Sequence, residues 1–376
     1  MRVAAVDSWV VNAPLRSAFQ SSFETKSGTT RTVIRVRTDD GAEGWGETMH
    51  GRPTQALVER IKDRFLGLDP RATAEVRRRS HMVPFFHGYL GYCAIAGLEM
   101  AFWDLAGRTS GTPLSVLLGG AVRDEVPITA LLTRADAPGV SADAMPRALA
   151  DRAAELIEDG GFKALKVKGS TDARADVAIM VELRRALPEM ELRLDPNAVW
   201  SVPDSIGAAR ALEPLHLQYL EDPCEGLQGM AEVRATARTP LCTNMCVVRL
   251  EDLAPAVRMR AVDVVHADVH KWGGIHATIA MQAVCEAFGL GVNFHSGGEL
   301  GISTACHLQV AAAMNRLDYP IDSMYYLTAE DLIASPIKLE KGALRLPAGP
   351  GLGVKVEEGR VLEFARRNEL EGDHTL

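Results

Sequence analysis

The chain has 376 residues and a mass of 40.6 kDa, enough for two to three domains at ~150 residues each. Its 41 basic and 49 acidic side chains leave a net charge of −8, which argues against nucleic acid, a partner bound through clustered Lys and Arg. No apolar run approaches the ~20 residues that cross a bilayer, and Met1-Arg2-Val3 leads into an alternating pattern rather than a signal peptide, so the chain reads as a cytoplasmic enzyme.

In chain order, residues 31–38 (RTVIRVRT) alternate apolar and polar, Asp40-Gly41 suits a hairpin turn, and residues 42–47 return. That pattern predicts an antiparallel unit. Residues 54–65 and 89–108 carry apolar side chains at helical spacing, so residues 1–125 are predicted to form a small α+β domain. From residue 126 short apolar runs alternate with amphipathic helices, the texture of parallel βα units. Eight strands are predicted, at 127–133, 164–169, 192–197, 217–222, 240–245, 262–269, 291–295 and 321–325. Eight units in ~210 residues fit a closed β/α barrel over 126–340 better than an open doubly wound sheet, whose Gly-rich phosphate turn is absent. Within residues 341–376 the run PAGPGLGV at 347–354 is too rich in Pro and Gly for a barrel helix, and the segment is expected to return to the first domain.

The six cysteines are too scattered for a disulfide framework, and the close pair Cys242 and Cys246 lacks a second pair or a histidine at zinc spacing. They read as buried thiols.

A barrel carries its chemistry at the C-terminal ends of its strands. Lys168, Asp195, Glu221, Asn244, Asp268, His295 and Asp322 fall at or near those ends, 23 to 27 residues apart, about one βα unit each. Ionised groups so placed must be paired, solvated or metal-bound. One isolated Asp is more often a helix cap or an ion-pair partner, but Asp195, Glu221 and Asn244 are three successive hard oxygen donors, a set suited to Mg²⁺. Lys166 and Lys168 share one strand face by period-two alternation, so their ammonium groups crowd and one could act as a base. Opposite them, Asp268 could fix the tautomer of His295 and make it a second base.

These residues resemble the enolase superfamily, in its mandelate racemase branch. The matching motifs are Lys166-Val-Lys168, Asp195-Pro-Asn197 followed by Trp200, Glu221-Asp-Pro223, Thr243-Asn-Met245, Asp268-Val-His-Lys-Trp-Gly-Gly274 and His295-Ser296, in order through nearly the whole chain. The resemblance implies a modified TIM-type barrel with an N-terminal α+β capping domain, one Mg²⁺ per subunit on Asp195, Glu221 and Asn244, and removal of the proton α to a substrate carboxylate. Asp268, in place of a lysine, resembles the mandelate racemase and sugar-acid dehydratase pattern, and Asn244 as third ligand resembles glucarate dehydratase. Ser296-Gly-Gly-Glu299 departs from that enzyme, so glucarate itself is in doubt.

The expected reaction is acid-sugar dehydration to a 2-keto-3-deoxy acid. Lys168 or His295 takes the α proton, the His295 imidazolium releases the β-hydroxyl, and Lys166 lowers the Lys168 pKa. Asn197 holds a substrate oxygen or a metal-bound water, and Asp322 hydrogen-bonds the substrate carboxylate. Glu299 either points into the site or begins the next helix as an N-terminal carboxylate. A racemase or epimerase using the same two bases is the alternative, and a silent metal-binding structural protein a third. The expected partners are a small carboxylate and further copies of the chain in a homo-oligomer. Capping loops at residues 15–30 and 48–56 would read the distal end of the substrate. Phe19, Ser22 and His50 there show neither an Arg cluster nor a greasy pocket, which leaves mono- and diacids undecided.

Overall fold

In the computed structural model, which describes residues 1–374, β1 (Val3–Gln20), β2 (Thr25–Thr38) and β3 (Glu43–Met49) form an antiparallel meander. The predicted hairpin turn joins β2 to β3. Gly41 takes the left-handed φ of 87° that glycine tolerates, and the Thr38 hydroxyl donates to Asp40 Oδ1 at 2.6 Å. Helices α1 (Gly51–Ile61), α2 (Thr73–Ser80) and α3 (Val83–Ser110) follow. The predicted 89–108 helix is the part of α3 beyond a break at Gly88, where φ is 55° and ψ −134°. Helix α2 escaped prediction because Val76 is its only buried aliphatic residue. Strand β3 lies against α3 so closely that a Cβ on Gly46 would stand 2.1 Å from the Gly97 carbonyl oxygen.

After the short α4 (Leu114–Leu117), eight strands alternate with helices: β4 (Glu125–Leu132), α5 (Met145–Gly160), β5 (Ala164–Lys168), α6 (Ala173–Ala186), β6 (Glu191–Asp195), α7 (Val202–Leu212), β7 (Tyr219–Glu221), α8 (Gly226–Thr236), β8 (Leu241–Thr243), α9 (Leu250–Met259), β9 (Val264–Ala267), α10 (Ile275–Phe288), β10 (Gly291–Phe294), α11 (Gly301–Ala313) and β11 (Ile321–Asp322). All eight predicted strands are present. They run parallel, paired in chain order from β4 to β10, with β11 on the free side of β4. No ladder joins β10 to β11 among the described residues. Their seam is bridged instead by side chains: Val292 N of β10 donates to Asp318 Oδ2, ahead of β11, at 3.0 Å, and Met324 N, after β11, donates to the Ser296 hydroxyl at 2.8 Å. The strand interiors are apolar on the helix side, where Leu165, Val167, Leu192, Leu194 and Leu220 are fully or almost fully buried in one large core.

The expectation of eight complete βα units is corrected in one respect: β11 has no helix after it. The segment following it makes only a 3₁₀ turn at Tyr325–Leu327 and carries Pro336, which cannot donate within a helix. The chain then forms the hairpin β12 (Leu339–Glu340) and β13 (Ala343–Arg345), with β13 antiparallel to β4. Beyond it Leu352 N donates to Asp104 Oδ1 of α3 at 2.8 Å, and α12 (Glu358–Glu371) packs on β1. No helix among the described residues is long and apolar enough to cross a membrane. The six cysteines are free thiols, five of them buried.

Candidate active site

Lys168, Asp195, Glu221 and Asp322 are the last residues of β5, β6, β7 and β11, while Asn244, Asp268 and His295 come one residue after β8, β9 and β10. Parallel strands paired in register carry these side chains to one end of the sheet. Lys166 Nζ meets Glu221 Oε2 at 2.7 Å, Asp322 Oδ2 at 2.7 Å and Asp195 Oδ2 at 3.1 Å. Lys168 Nζ reaches the same Asp195 oxygen at 2.6 Å, so the two lysines do share a face. Burial opposes the charge on Lys166, but its three carboxylates outweigh burial and hold its pKa well above the ordinary lysine value. For Lys166, then, the carboxylates around it govern rather than repulsion from its neighbour.

On the other flank His295 Nδ1 donates to Asp268 Oδ2 at 2.8 Å. The remaining Asp268 oxygen accepts from the backbone N–H of His270 at 2.8 Å, so the carboxylate cannot rotate without losing a bond. Burial, outweighed by the hydrogen bond from His295 and by the charges of nearby histidines, leaves Asp268 far below the usual carboxylate range. Burial and the Lys271 ammonium push His295 down to about 4, against the pull of Asp268. The imidazole is therefore neutral near pH 7, with its proton on Nδ1 and a lone pair on Nε2.

The capping strands close over this end and leave a cavity of about 230 Å³. Lys166, Lys168, Asn197, Asn244, His295 and Asp322 line it from below. Phe19, Lys26, Arg31, Met49, His50 and Tyr89 line it from the N-terminal domain. Asn197, at a left-handed φ of 54°, uses its backbone N–H to hold Asp195 Oδ1 at 3.0 Å. Asp322 spends its oxygens on Lys166 and on Arg193 Nη1 at 3.2 Å, which limits what it can offer a substrate carboxylate. Glu299 settles neither of its two expected ways. It does not line the cavity and lies two residues ahead of α11; its oxygens accept from Ser296 Oγ at 2.5 Å and Gly297 N at 2.6 Å. The half-buried loop hydroxyl and N–H need an acceptor, and this carboxylate supplies it.

Lys271 escaped the sequence reading although it lies within the quoted Asp268–Gly274 motif. Its Nζ donates to Asn244 Oδ1 at 2.7 Å and to the Asn244 carbonyl at 3.0 Å, and burial lowers its pKa despite Asp268. A buried charge network also crosses from the N-terminal sheet: Arg31 Nε donates to Glu47 at 2.8 Å and its Nη2 donates to His270 Nε2 at 2.9 Å. No local signal marks Arg31, because its partner sits 239 residues away.

The fit to a divalent cation is tested by the donors themselves. Asp195 and Glu221 are fully buried and share the Lys166 ammonium, and Glu221 Oε2 also meets His266 Nε2 at 3.2 Å. Two buried carboxylates on one cation form a hard, anionic oxygen set of the kind that suits a divalent ion. Asn244 is adjacent, but its Nδ2 donates to Glu221 Oε1 while its oxygen faces Lys271. The three oxygens therefore do not all converge in this arrangement. Ligation by Asn244 needs its amide to turn over, a soft torsion for a terminal amide. A softer set, Glu221, Cys242 and His266, lies within the same layer. Burial and Glu221 push the Cys242 thiol well above its ordinary value, which makes it the poorer donor.

Comparison with known proteins agrees with this geometry. The profile for the mandelate racemase / muconate lactonizing enzyme N-terminal domain matches residues 4–119, and that for the enolase C-terminal domain-like family matches residues 148–360. A probable glucarate dehydratase from Streptomyces coelicolor is 36% identical over 377 residues, covering 93% of this chain and 87% of that protein. An isomerase from Streptomyces coelicolor A3(2) superposes with a TM-score of 0.94 at 58% identity, covering 99% of both chains. An enolase from Pseudomonas fluorescens with bound magnesium, potassium and tartrate superposes at 0.89 with 30% identity, covering 99% of this chain and 94% of that one. The chain belongs to the mandelate racemase / muconate lactonizing enzyme family of the enolase superfamily.

Proposed function

We propose that this protein is a Mg²⁺-dependent acid-sugar dehydratase. The observation that carries the reading is the presence of neutral, Asp268-anchored His295 and Lys168 on one cavity, with buried Asp195 and Glu221 ion-paired to the Lys166 that also lines it. Relatives include sugar-acid dehydratases, and magnesium is bound in similar structures. Asp195, Glu221 and Asn244 would hold the ion here. When bound, it supplies Lewis acidity to a substrate carboxylate.

The residues of the chain then divide the work. Lys168 and Lys166 give the substrate carboxylate a cationic surround. His295 Nε2 accepts the α proton: the C–H bond breaks and its electron pair delocalises into the carboxylate. The imidazolium formed is stabilised by the Asp268 carboxylate 2.8 Å away. It returns the proton to the β-hydroxyl as the C–O bond breaks, releasing water and an enol that tautomerises to the 2-keto-3-deoxy acid. The histidine acts first as base, because its low pKa leaves no proton to give at the outset.

The test is incubation with Mg²⁺ and a panel of sugar acids in D₂O, following 2-keto acid with semicarbazide and deuterium at C2 by NMR. Wild type is expected to form 2-keto acid, and His295→Asn to lose on the order of 10²–10⁴-fold in rate. Folded, metal-loaded protein that yields no keto acid from any substrate counts against dehydration. A second reading, racemase or epimerase, is favoured by the presence of Lys168 and His295 on one cavity and by the similarity to an isomerase. Deuterium uptake with recovery of the inverted acid and no keto acid selects it.

A further inference from the structure

We propose that Lys26 is a distal anion site that makes this a diacid enzyme, selecting sugar acids with a second carboxylate at the far end from the reacting carbon. The inference rests on the acid-sugar reading above and deepens it.

Lys26 stands on β2 and lines the cavity although its residue is only 9% exposed. Its one nearby counter-charge among the described residues is Glu24 Oε1 at 3.5 Å, longer than a good charge-assisted hydrogen bond. The other charges that bear on it are cations, Lys168 and Arg31, and burial together with them lowers its pKa. The remaining lysines and the arginine of the cavity have closer partners, 2.6 to 3.1 Å away. Lys166 has three carboxylates and Lys168 has Asp195; Arg31 has Glu47 and His270, and Lys271 has Asn244. Of the two acids lining the same space, Asp322 is already committed to Lys166 and Arg193. An ammonium so placed has lost water and gained a single carboxylate at 3.5 Å, a deficit that a closer anionic ligand offsets.

Position adds direction to the argument. The Lys26 nitrogen lies over Gly298, where an added Cβ would come within 3.9 Å of it, and Thr29 Oγ1 donates to the Gly298 carbonyl at 2.9 Å. Lys26 thus stands beside the loop that follows His295. A substrate with one carboxylate among the barrel lysines and another at Lys26 would lie in the cavity that the His295 imidazole also lines. The ring of Phe19, 5.6 Å from the ammonium, and the apolar Met49 and Met324 nearby lower the local dielectric and strengthen a carboxylate contact. A terminal hydroxymethyl group can accept one hydrogen bond there but leaves the charge uncompensated.

The experiment compares acids that differ only at the far end: gluconate with glucarate and galactonate with galactarate, each with Mg²⁺, by titration calorimetry and by C2 deuterium exchange. Wild type is expected to bind at least one diacid tenfold or more tightly than its monoacid partner. Lys26→Met is expected to collapse that ratio about tenfold, Lys26→Arg to retain it, and Glu24→Gln, which frees the ammonium, to raise diacid affinity. Circular dichroism and melting temperature confirm that each variant is folded. Equal wild-type affinity within every pair, equal loss of both acids in Lys26→Met, or binding of neither acid overturns the inference. Diacid preference without exchange or keto acid leaves Lys26 in place and removes the dehydratase reading. Turnover of monoacids with no diacid preference does the reverse.

Discussion

His295 illustrates how one residue's chemistry is set by what surrounds it. Its ring has a carboxylate on Nδ1, which favours the imidazolium, yet burial and the Lys271 ammonium prevail and take the pKa to about 4. The base needed for proton abstraction is therefore present through the neutral range. We expect kcat/KM to fall as pH drops through about 4, with a flat profile from there to neutrality; an acid limb near the ordinary histidine value would refute this electrostatic account. The same shift links to stability. Unfolded chain binds a proton below the ordinary value of 6.5 that the folded site refuses until about 4, and buried His270 is shifted in the same direction, by burial and Arg31. Folded-state stability should thus decline as pH falls from about 6.5 toward about 4, measurable as a falling Tm.

At the scale of elements, the site depends on how the capping sheet is seated. Glu47 on β3 accepts from Leu300 N and Ser303 N at 2.9 Å each, so a strand of one unit supplies the N-terminal acceptor for α11 of the other. Those N–H groups otherwise lack partners at a helix start. Strand β3 is itself fixed by its contact with α3 at Gly46. Gly46→Ala would drive a methyl into the Gly97 carbonyl, a backbone atom that cannot swing away. The expected loss is roughly 1–3 kcal/mol, read as a lower denaturant midpoint, and the shift of β3 should also weaken substrate binding. A variant as stable as wild type would show that the two elements can separate without cost.

Across the whole molecule, buried charge has to balance, and the strand ends gather Asp195, Glu221, Asp322 and Asp268 against Lys166, Lys168 and Lys271. A cation held by Asp195, Glu221 and Asn244 binds the folded state alone, so Mg²⁺ should raise Tm, by about 2.7 kcal/mol of stability at 100 times its Kd. Asp195→Asn should abolish that increment, and an unchanged Tm in wild type with saturating Mg²⁺ would remove the metal assignment.

Much of this architecture was legible in the chain. Alternation and helical spacing are consequences of backbone geometry, so the eight strands and the polar residue at the end of each from β5 to β11 could be located without coordinates. The missing helix after β11 was not legible, because a connection of that length reads as another unit until Pro336 is seen to break it. Lys271 carries no sequence signal of its role, since nothing local says that its ammonium turns toward Asn244. The orientation of Asn244 and the approach of Arg31 and Glu47 from the capping sheet depend on partners 23 to 256 residues distant, while the turn of Glu299 onto its own loop is a local bond that no periodicity signals. By itself the sequence determined which strands form and which side chains stand at their ends, since those follow from short-range periodicity. Only the tertiary structure decided which charges meet, which stay uncompensated and which proton state results, because burial and electrostatic contact are set by neighbours that the order of residues does not place side by side.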